Sequence, residues 1–153
     1  MKPIRNEKLR QSAEYARAVI DKCGFFTMAT AGPDGEPYCV PLSMARVGDF
    51  LYFHSAMAGH KIDNLRNNNR VCISCVGCFG YPPGRFNIDY ESAVIFGFAE
   101  EILNLEDKIH ALRIISQRYT PDNMDSFDAS IKRSLDKTSV WKIHIDEISG
   151  KGK

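Results

Sequence analysis

Three runs of β-forming residues follow one another between residues 25 and 55, and two tight turns separate them. The runs are Phe25–Thr30, Pro37–Ala45 and Phe50–Ser55. The first turn, Gly32-Pro-Asp-Gly35, has a proline that fixes φ and a glycine that can take a left-handed conformation, and the second turn is Val47-Gly48-Asp49. Strands joined by such short turns pair antiparallel. We therefore predict a β-hairpin followed by a third antiparallel strand.

Pro41 lies in the middle of the second run. Proline has no N–H to give to a strand ladder, so it is confined to edge strands, bulges or places where the ladder opens. An open ladder leaves backbone groups free, and a ligand could use them. The second strand is therefore predicted to lie at such a position.

The remainder of the chain alternates further strands with amphipathic helices. Asn6 is predicted to cap the first helix, whose apolar stripe ends at Cys23-Gly24. Gly97 permits a bend or bulge within a long strand. The pattern predicts strands at Arg70–Val76, Tyr90–Ile102 and Ser139–Asp146, helices at Leu105–Tyr119 and Phe127–Leu135, and a loop at Phe79–Gly84. Six or more antiparallel strands with flanking helices make a small barrel of the α+β class, and we expect residues 1–153 to form one domain.

Composition excludes several classes of partner. The net charge of +1 argues against a nucleic-acid partner, which usually needs a basic surface. No apolar run approaches the roughly 18 residues of a membrane span, and the charged first ten residues lack the apolar centre of a signal peptide. Because the chain has five cysteines, an odd number, we expect a cytoplasmic protein in a reducing compartment.

The stretch from Leu51 to Arg66 has the pattern of an anion site. A short strand ends at Ser55, the small residues Ala56–Gly59 follow, and an amphipathic helix begins near Lys61. The N-terminus of a helix offers unpaired N–H groups and the positive end of a dipole, and a hydroxyl and an ammonium would add to them. The pattern indicates a phosphate site. An ordinary strand–turn–helix with a solvated lysine has the same pattern.

Cys72, Cys75 and Cys78 form the one metal-like pattern, C-x2-C-x2-C. The fourth cysteine of a ferredoxin run is missing, because Pro82 stands at its position. On a strand, Cys72 and Cys75 would point to opposite faces. We therefore favour buried, inert thiols, with a zinc site that borrows His54 or His60 as the alternative.

The sequence has no nucleophile elbow, no P-loop and no dinucleotide fingerprint. Among the four histidines, His110 lies among charges on a helix and His144 on the polar side of a strand. His54 differs because it adjoins Ser55, on the opposite face of the strand. It is the one candidate for a reactive histidine.

Several segments in order resemble a known family: Thr27-Met-Ala-Thr30, Asp34-Gly-Glu-Pro-Tyr38-Cys-Val-Pro-Leu-Ser43, Leu51-Tyr-Phe-His-Ser55, Gly59-His-Lys61-Ile-Asp-Asn-Leu-Arg66, Tyr90-Glu-Ser-Ala-Val-Ile-Phe-Gly97 and Asp146-Glu-Ile-Ser-Gly-Lys151. They are similar to the flavin mononucleotide (FMN)-binding split barrel. Within that fold they resemble the nitroimidazole-resistance (Nim) branch of the pyridoxamine 5'-phosphate oxidase-like superfamily. The resemblance covers nearly the whole chain after the first helix.

The resemblance implies a homodimer with two flavins at the subunit interface. It implies that Ser55 and Lys61 hold the flavin phosphate, with His60 where relatives often have an arginine. By the same resemblance, His54 lies near the flavin and has a redox role. By position, the resemblance also implies that Val40, Pro41, Leu42 and Ser43 run beside the isoalloxazine ring. It implies a further flavin contact from Ser92 on the long strand.

The chain also departs from the family pattern. The vitamin oxidases continue past the position of Lys153 with a tail that grips the vitamin phosphate, so vitamin oxidation is disfavoured here. Ile148 stands where many relatives have a tryptophan near the flavin. These departures concern the substrate side of the pocket.

The resemblance favours an FMN-dependent oxidoreductase, with FAD (flavin adenine dinucleotide) as another possible flavin. The expected reaction is reduction of a small acceptor such as a nitroaromatic (5-nitroimidazole) compound, with NAD(P)H as a possible donor and His54 as the proton relay. A non-catalytic flavin- or haem-binding protein on the same barrel is the first alternative. A metal protein built on the cysteines is the second.

Overall fold

The computed structural model describes residues 2–153, and eight strands and four α-helices lie within them. Three short 3-10 turns, at Glu7–Leu9, Pro121–Ser126 and Leu135–Lys137, complete the elements. In chain order the elements are β1 (Arg10–Gln11), α1 (Ala13–Lys22), β2 (Phe26–Ala31), β3 (Pro37–Leu42), β4 (Ala45–Val47), β5 (Phe50–Ala56), α2 (His60–Asn67), β6 (Arg70–Gly80), β7 (Asp89–Glu101), α3 (Leu105–Tyr119), α4 (Phe127–Ser134) and β8 (Thr138–Gly152).

All eight strands belong to one antiparallel sheet with the order β3-β2-β6-β7-β8-β5-β4, and β1 adds to β8. The sheet curls on itself, because Met28 of β2 and Phe53 of β5 lie far apart in this order but belong to the same buried cluster. The two ends of the sheet, β3 and β4, do not pair with each other. The predicted α+β class and antiparallel split barrel are confirmed.

Helices cover the sheet on two sides. Helix α1 buries Ala16, Val19 and Ile20 in the main core, as the apolar stripe predicts. Helices α3 and α4 cover a second cluster that includes Leu112, Phe127 and Val140. None of the helices in residues 2–153 is long and apolar enough to cross a membrane.

The start of α1 differs from the prediction. Asn6 precedes only a 3-10 turn and makes no side-chain cap, whereas the Ser12 hydroxyl accepts a hydrogen bond from the Tyr15 N–H at 3.1 Å. Between the 3-10 turn and Ser12, Arg10 and Gln11 form β1, which pairs with β8. The prediction that Asn6 caps the helix was wrong because the strand pairing of Arg10 and Gln11 interrupts the helical segment.

Two strand boundaries differ from the prediction because long-range strand pairing determines them. The run Pro37–Ala45 divides after Leu42, since β3 pairs with β2 while β4 pairs with β5. Strand β6 continues to Gly80, through a bulge between Val76 and Phe79, into the segment predicted as a loop.

Gly97 lies at a bulge between β7 and β8, as predicted. A Cβ at this position would lie 1.9 Å from the His144 carbonyl oxygen.

Candidate functional site

The opening of the barrel lies between β3 and the second half of β5. Strand β4 pairs only with Phe50–Tyr52, so Phe53–Ala56 has a partner, β8, on one side alone. Strand β3 likewise pairs only with β2. Pro41 therefore lies on an edge strand, as predicted, and unpaired backbone groups flank the opening.

Ser55 carries a buried hydroxyl without a hydrogen-bond partner among the described residues. Its neighbour across the ladder, Ser139, is fully satisfied, because its hydroxyl donates to Glu101 at 2.7 Å and accepts from the Trp141 indole at 2.8 Å. Buried polar groups are nearly always paired, so an orphaned hydroxyl needs an explanation. A ligand that accepts its proton is one such explanation.

Helix α2 begins at His60, five residues after Ser55. Its N-cap is Gly59, with φ of +131°, a backbone conformation that residues other than glycine rarely adopt. The first N–H that bonds back to Gly59 is that of Ile62, which leaves the N–H groups of His60 and Lys61 without acceptors among the described residues. No carboxylate in residues 2–153 pairs with the Lys61 ammonium. The start of α2 thus offers two N–H donors and one cation.

Two contacts fix α2 against the sheet. The Asn64 amide donates a buried hydrogen bond of 3.0 Å to the Thr30 hydroxyl on β2. Arg66 forms an ion pair at 3.2 Å with Glu101, the residue that Ser139 also contacts. Asn64 was not among the residues predicted for the site, although an amide between Ile62 and Leu65 on the apolar stripe of α2 is a usable sequence signal.

Strand β3 reaches α2 through a ring contact. The Tyr38 ring lies over the His60 imidazole with centroids 4.1 Å apart and planes tilted by 31°. This contact places the open edge of β3 beside the start of α2. Along β3 the side chains of Val40 and Leu42 are half-buried, while Pro41 and the following Ser43 are exposed. The structure thus places Tyr38 of β3 against the first residue of α2, while β3 and the second half of β5 each have one open edge.

His54 lies on the other face of β5, as predicted. Its register partner is Val140, which packs under α3 and α4. The imidazole is exposed and has no hydrogen bond or ion pair among residues 2–153. Desolvation by the surrounding protein nevertheless lowers the pKa of His54 below its ordinary value of 6.5. At neutral pH it is therefore a neutral imidazole that can accept a proton.

Ser92 is not brought to these residues within one chain. It lies near the start of β7, opposite Lys151, and its hydroxyl donates to the Lys151 carbonyl at 3.3 Å. The Ser55 region lies beside the other end of β7, at Glu101, about 30 Å away along the strand at 3.3 Å per residue. Ser92 and Ser55 of one chain therefore cannot touch the same small ligand.

The cysteines of β6 do not form a ligand set. Cys72 lies on the outer side of the strand and Cys75 in the core, where it contacts Cys23, while Cys78 is exposed. Contact with Cys23 and burial raise the pKa of the Cys75 thiol. Residues 2–153 contain no group of three or more side chains placed to hold a metal ion.

The comparisons with known proteins agree with the fold. The family model for pyridoxamine 5'-phosphate oxidase matches residues 12–152. A candidate 5-nitroimidazole antibiotic resistance protein from Bacteroides thetaiotaomicron is 26% identical, with a TM-score of 0.76 over 99% of this chain and 95% of that one. An FAD- and haem-binding protein from Mycobacterium smegmatis is 25% identical, with a TM-score of 0.82 over 96% of this chain and 74% of that one.

A conserved hypothetical protein from Mycobacterium tuberculosis shares the fold, with a TM-score of 0.82 at 18% identity over 98% of this chain and 90% of that one. Among curated protein sequences, none is significantly similar to this chain. The match to the family model spans nearly the whole chain and confirms the resemblance noted in the sequence. The chain belongs to the pyridoxamine 5'-phosphate oxidase family.

Proposed function

We propose that this chain is a flavin-dependent oxidoreductase that holds the phosphate of FMN between the end of β5 and the start of α2. The orphaned hydroxyl of Ser55 carries this proposal, because the helix that begins five residues later offers free N–H groups and the ammonium of Lys61, which no carboxylate in residues 2–153 neutralises. Hydroxyl, backbone N–H and ammonium are the donors that a phosphate dianion needs. The donor set therefore fits the 5'-phosphate of a flavin nucleotide.

Each donor has a separate task in this site. Ser55 gives a directed hydrogen bond, and Lys61 gives a full charge that no carboxylate in residues 2–153 neutralises. His60 is held in place by Tyr38, so its ring closes the side of the site toward β3. Because FMN and FAD share the first phosphate, the same donors would serve either flavin.

The open edge of β3 is the proposed support for the isoalloxazine ring. In an antiparallel pair only alternate residues use their backbone groups toward one neighbour, so β3 also directs N–H and C=O groups into the opening. The segment Val40, Pro41, Leu42 and Ser43 would meet the polar edge of the ring in this way. Because Pro41 has no N–H, the backbone N–H groups of its neighbours would donate to the acceptor atoms of the ring.

We further propose a homodimer, in which Ser92 of the partner subunit completes the site. Within one chain Ser92 lies at the far end of β7 from Glu101, so it can contribute only to the flavin held by the other copy. Several large apolar side chains on the outer face of the sheet, among them Phe25, Val76 and Phe79, are exposed in the single chain. Such exposure is typical of a surface that a partner covers.

When bound, the flavin would accept electrons from NAD(P)H and pass them to a small acceptor such as a nitroaromatic compound. The role left to the chain is to bind and orient the reactants and to move protons. His54 is the proposed proton relay, and its lowered pKa means that it takes up a proton before it can give one. The 26% identity to a candidate 5-nitroimidazole resistance protein supports a nitroaromatic acceptor.

Anaerobic reduction of the FMN-loaded protein tests this function. We expect NADH or NADPH to bleach the flavin band near about 450 nm and a nitroaromatic acceptor to restore it. His54→Ala should keep the flavin bound and slow the restoration, whereas His110→Ala, on α3, should behave as wild type. Turnover that is unchanged in His54→Ala would remove His54 from the mechanism.

The alternative is a non-catalytic flavin- or haem-binding protein. The 25% identity to an FAD- and haem-binding protein favours it over other non-enzymatic functions. Such a protein would bind flavin without reduction of the bound flavin by NADH or NADPH. A Soret band on addition of haem, with no reduction of bound flavin, would establish this alternative and refute the enzymatic proposal.

A further inference from the structure

The first residue of α2 is a histidine whose ring has one defined neighbour. The His60 imidazole packs against the Tyr38 ring of β3, with centroids 4.1 Å apart and planes tilted by 31°. The face of a tyrosine ring attracts a cation that lies within about 6 Å of its centroid. The contact therefore fixes the position of the imidazole at the start of α2, and it would also support a positive charge there.

The charged groups around His60 are of both signs. On α2, Lys61 follows it directly and Asp63 lies in the same first turn. The turn between β2 and β3 contributes Asp34 and Glu36, and the Asp34 carboxylate already accepts a hydrogen bond from the Glu36 N–H. Strand β2, which also contacts α2, carries no titratable side chain. No carboxylate in residues 2–153 forms an ion pair with His60, so its charge can respond to a ligand.

A phosphate would change the electrostatic balance at this position. The positive end of the helix dipole and the Lys61 ammonium make a further positive charge unfavourable without an anion. Beside a phosphate, which carries close to two negative charges above pH 7, the same charge becomes favourable. Histidine is the side chain whose charge changes between pH 5 and 8. A phosphate dianion that binds here should therefore draw a proton onto the imidazole.

We propose that His60 contacts the flavin phosphate as an imidazolium, that Tyr38 is the positioning residue that holds it there, and that FMN binding takes up a proton from solution. No covalent bond to the phosphate changes, since the neutral imidazole gains the proton and the phosphate stays a dianion. This inference rests on the proposed function, because it makes retention of the flavin depend on pH at the phosphate site. The affinity for FMN should be highest near neutral pH and should fall as the pH rises and the imidazole loses its proton.

Calorimetric titrations of the full chain without flavin, with FMN and with riboflavin at pH 7.0 and 8.5 in buffers free of phosphate, test the proposal. We expect the Kd for FMN to rise about three- to fifteenfold over this interval, the effect of one charge-assisted contact that is lost. Riboflavin lacks the phosphate, so its Kd should change less than about twofold. At pH 7.5, in two buffers that differ in ionisation enthalpy, FMN binding should take up about half a proton or more and riboflavin binding none.

Variants separate the charge from the ring that holds it. His60→Arg makes the charge permanent, so FMN should bind tightly at both pH values without proton uptake. His60→Asn removes the charge, so FMN should bind as weakly at pH 7.0 as it binds to the wild type at pH 8.5. Tyr38→Phe keeps the ring and should behave as the wild type, whereas Tyr38→Leu should reduce the pH dependence. His110→Asn, on α3, is the matched control and should leave the uptake unchanged.

Two kinds of failure are distinct in these titrations. A preference for FMN over riboflavin that does not vary with pH in the wild type, or proton uptake that persists in His60→Arg, would overturn the proposal and leave the phosphate site standing. Loss of the uptake in His110→Asn would overturn it as well. Equal affinity for FMN and riboflavin at both pH values would overturn the phosphate site itself, and this inference with it.

Discussion

Replacement of Ser55 by alanine should stabilise the ligand-free protein and weaken its hold on FMN. The Ser55 hydroxyl is buried and has no partner among the described residues, so folding removes it from water without compensation. Such a group costs about 1–3 kcal/mol, and alanine does not carry it. We expect the free energy of unfolding to rise by about 1 kcal/mol, which corresponds to about 2–4 °C in Tm for a chain of this size.

Ser139 is the matched control, because it lies directly across the ladder from Ser55 and its hydroxyl, unlike that of Ser55, has hydrogen-bond partners within the chain. Its hydroxyl bonds both Glu101 and the Trp141 indole, so Ser139→Ala removes two hydrogen bonds and leaves the buried indole N–H without a partner, while Glu101 keeps its ion pair with Arg66. We expect a loss of about 2–3 kcal/mol, opposite in sign to the effect at Ser55. Urea denaturation of both variants without ligand measures the difference.

In the presence of saturating FMN, Ser55→Ala should become less stable than the wild type. A ligand that binds only the native state raises the free energy of unfolding by RT ln(1 + [L]/Kd), so a variant that binds it more weakly gains less. Because a hydrogen bond to a charged group contributes about 1.5–3 kcal/mol, Ser55→Ala should bind FMN about 10- to 100-fold more weakly. If Ser55→Ala destabilises the ligand-free protein as Ser139→Ala does, the hydroxyl has a partner within the protein and the reasoning is refuted.

Three further outcomes follow from single residues. Gly97→Ala should cost about 3 kcal/mol or more in urea denaturation, since its Cβ would lie 1.9 Å from the His144 carbonyl oxygen, while Gly80→Ala, with open space around it, should cost far less. In NMR titrations His54 should protonate below pH 6.5, and a midpoint above 6.5 would contradict the lowered pKa. Because the pKa of His54 is lower in the folded than in the unfolded protein, its contribution to stability is present above pH 6.5 and is lost as the pH falls below it. The Cys75 thiol should resist alkylation in the native protein and react after denaturation, and fast native labelling would contradict its burial.

Local sequence signals predicted the elements that are decided locally. The turn at Gly32–Gly35 is closed by the Gly35 N–H, which donates to the Gly32 carbonyl, and Gly35 has φ of +85°. Helix α3 has the predicted bounds because Asn104 caps its start and Pro121 follows its end. In both places the residue type alone restricts the backbone.

Boundaries and burial that depend on long-range strand pairing could not be predicted from the sequence. The division between β3 and β4 depends on which strand each part meets, and β1 exists only because β8 lies beside it. Val140 reads as a member of a polar face beside Lys142, but α3 and α4 cover it. Long-range contacts of this kind override a local pattern.

The candidate site shows the same division. The positions of Ser55 and Lys61 followed from a strand–turn–helix pattern, because the pattern itself creates the helix N-terminus. The orphaned state of the Ser55 hydroxyl and the ring contact of Tyr38 with His60 required the fold. So did the separation of Ser92 from Ser55 within one chain.

The most direct test of the phosphate site is the ratio of the dissociation constants for riboflavin and FMN, measured by quenching of flavin fluorescence. The two ligands differ only in the phosphate, so the ratio isolates the contacts of Ser55, Lys61 and the start of α2. We predict that the wild type binds FMN at least about 100-fold more tightly than riboflavin, since two charge-assisted contacts contribute about 1.5 kcal/mol or more each. In Lys61→Met the ratio should fall at least tenfold while the affinity for riboflavin stays the same. A wild-type ratio near one, or a ratio unchanged in Lys61→Met, would contradict the account.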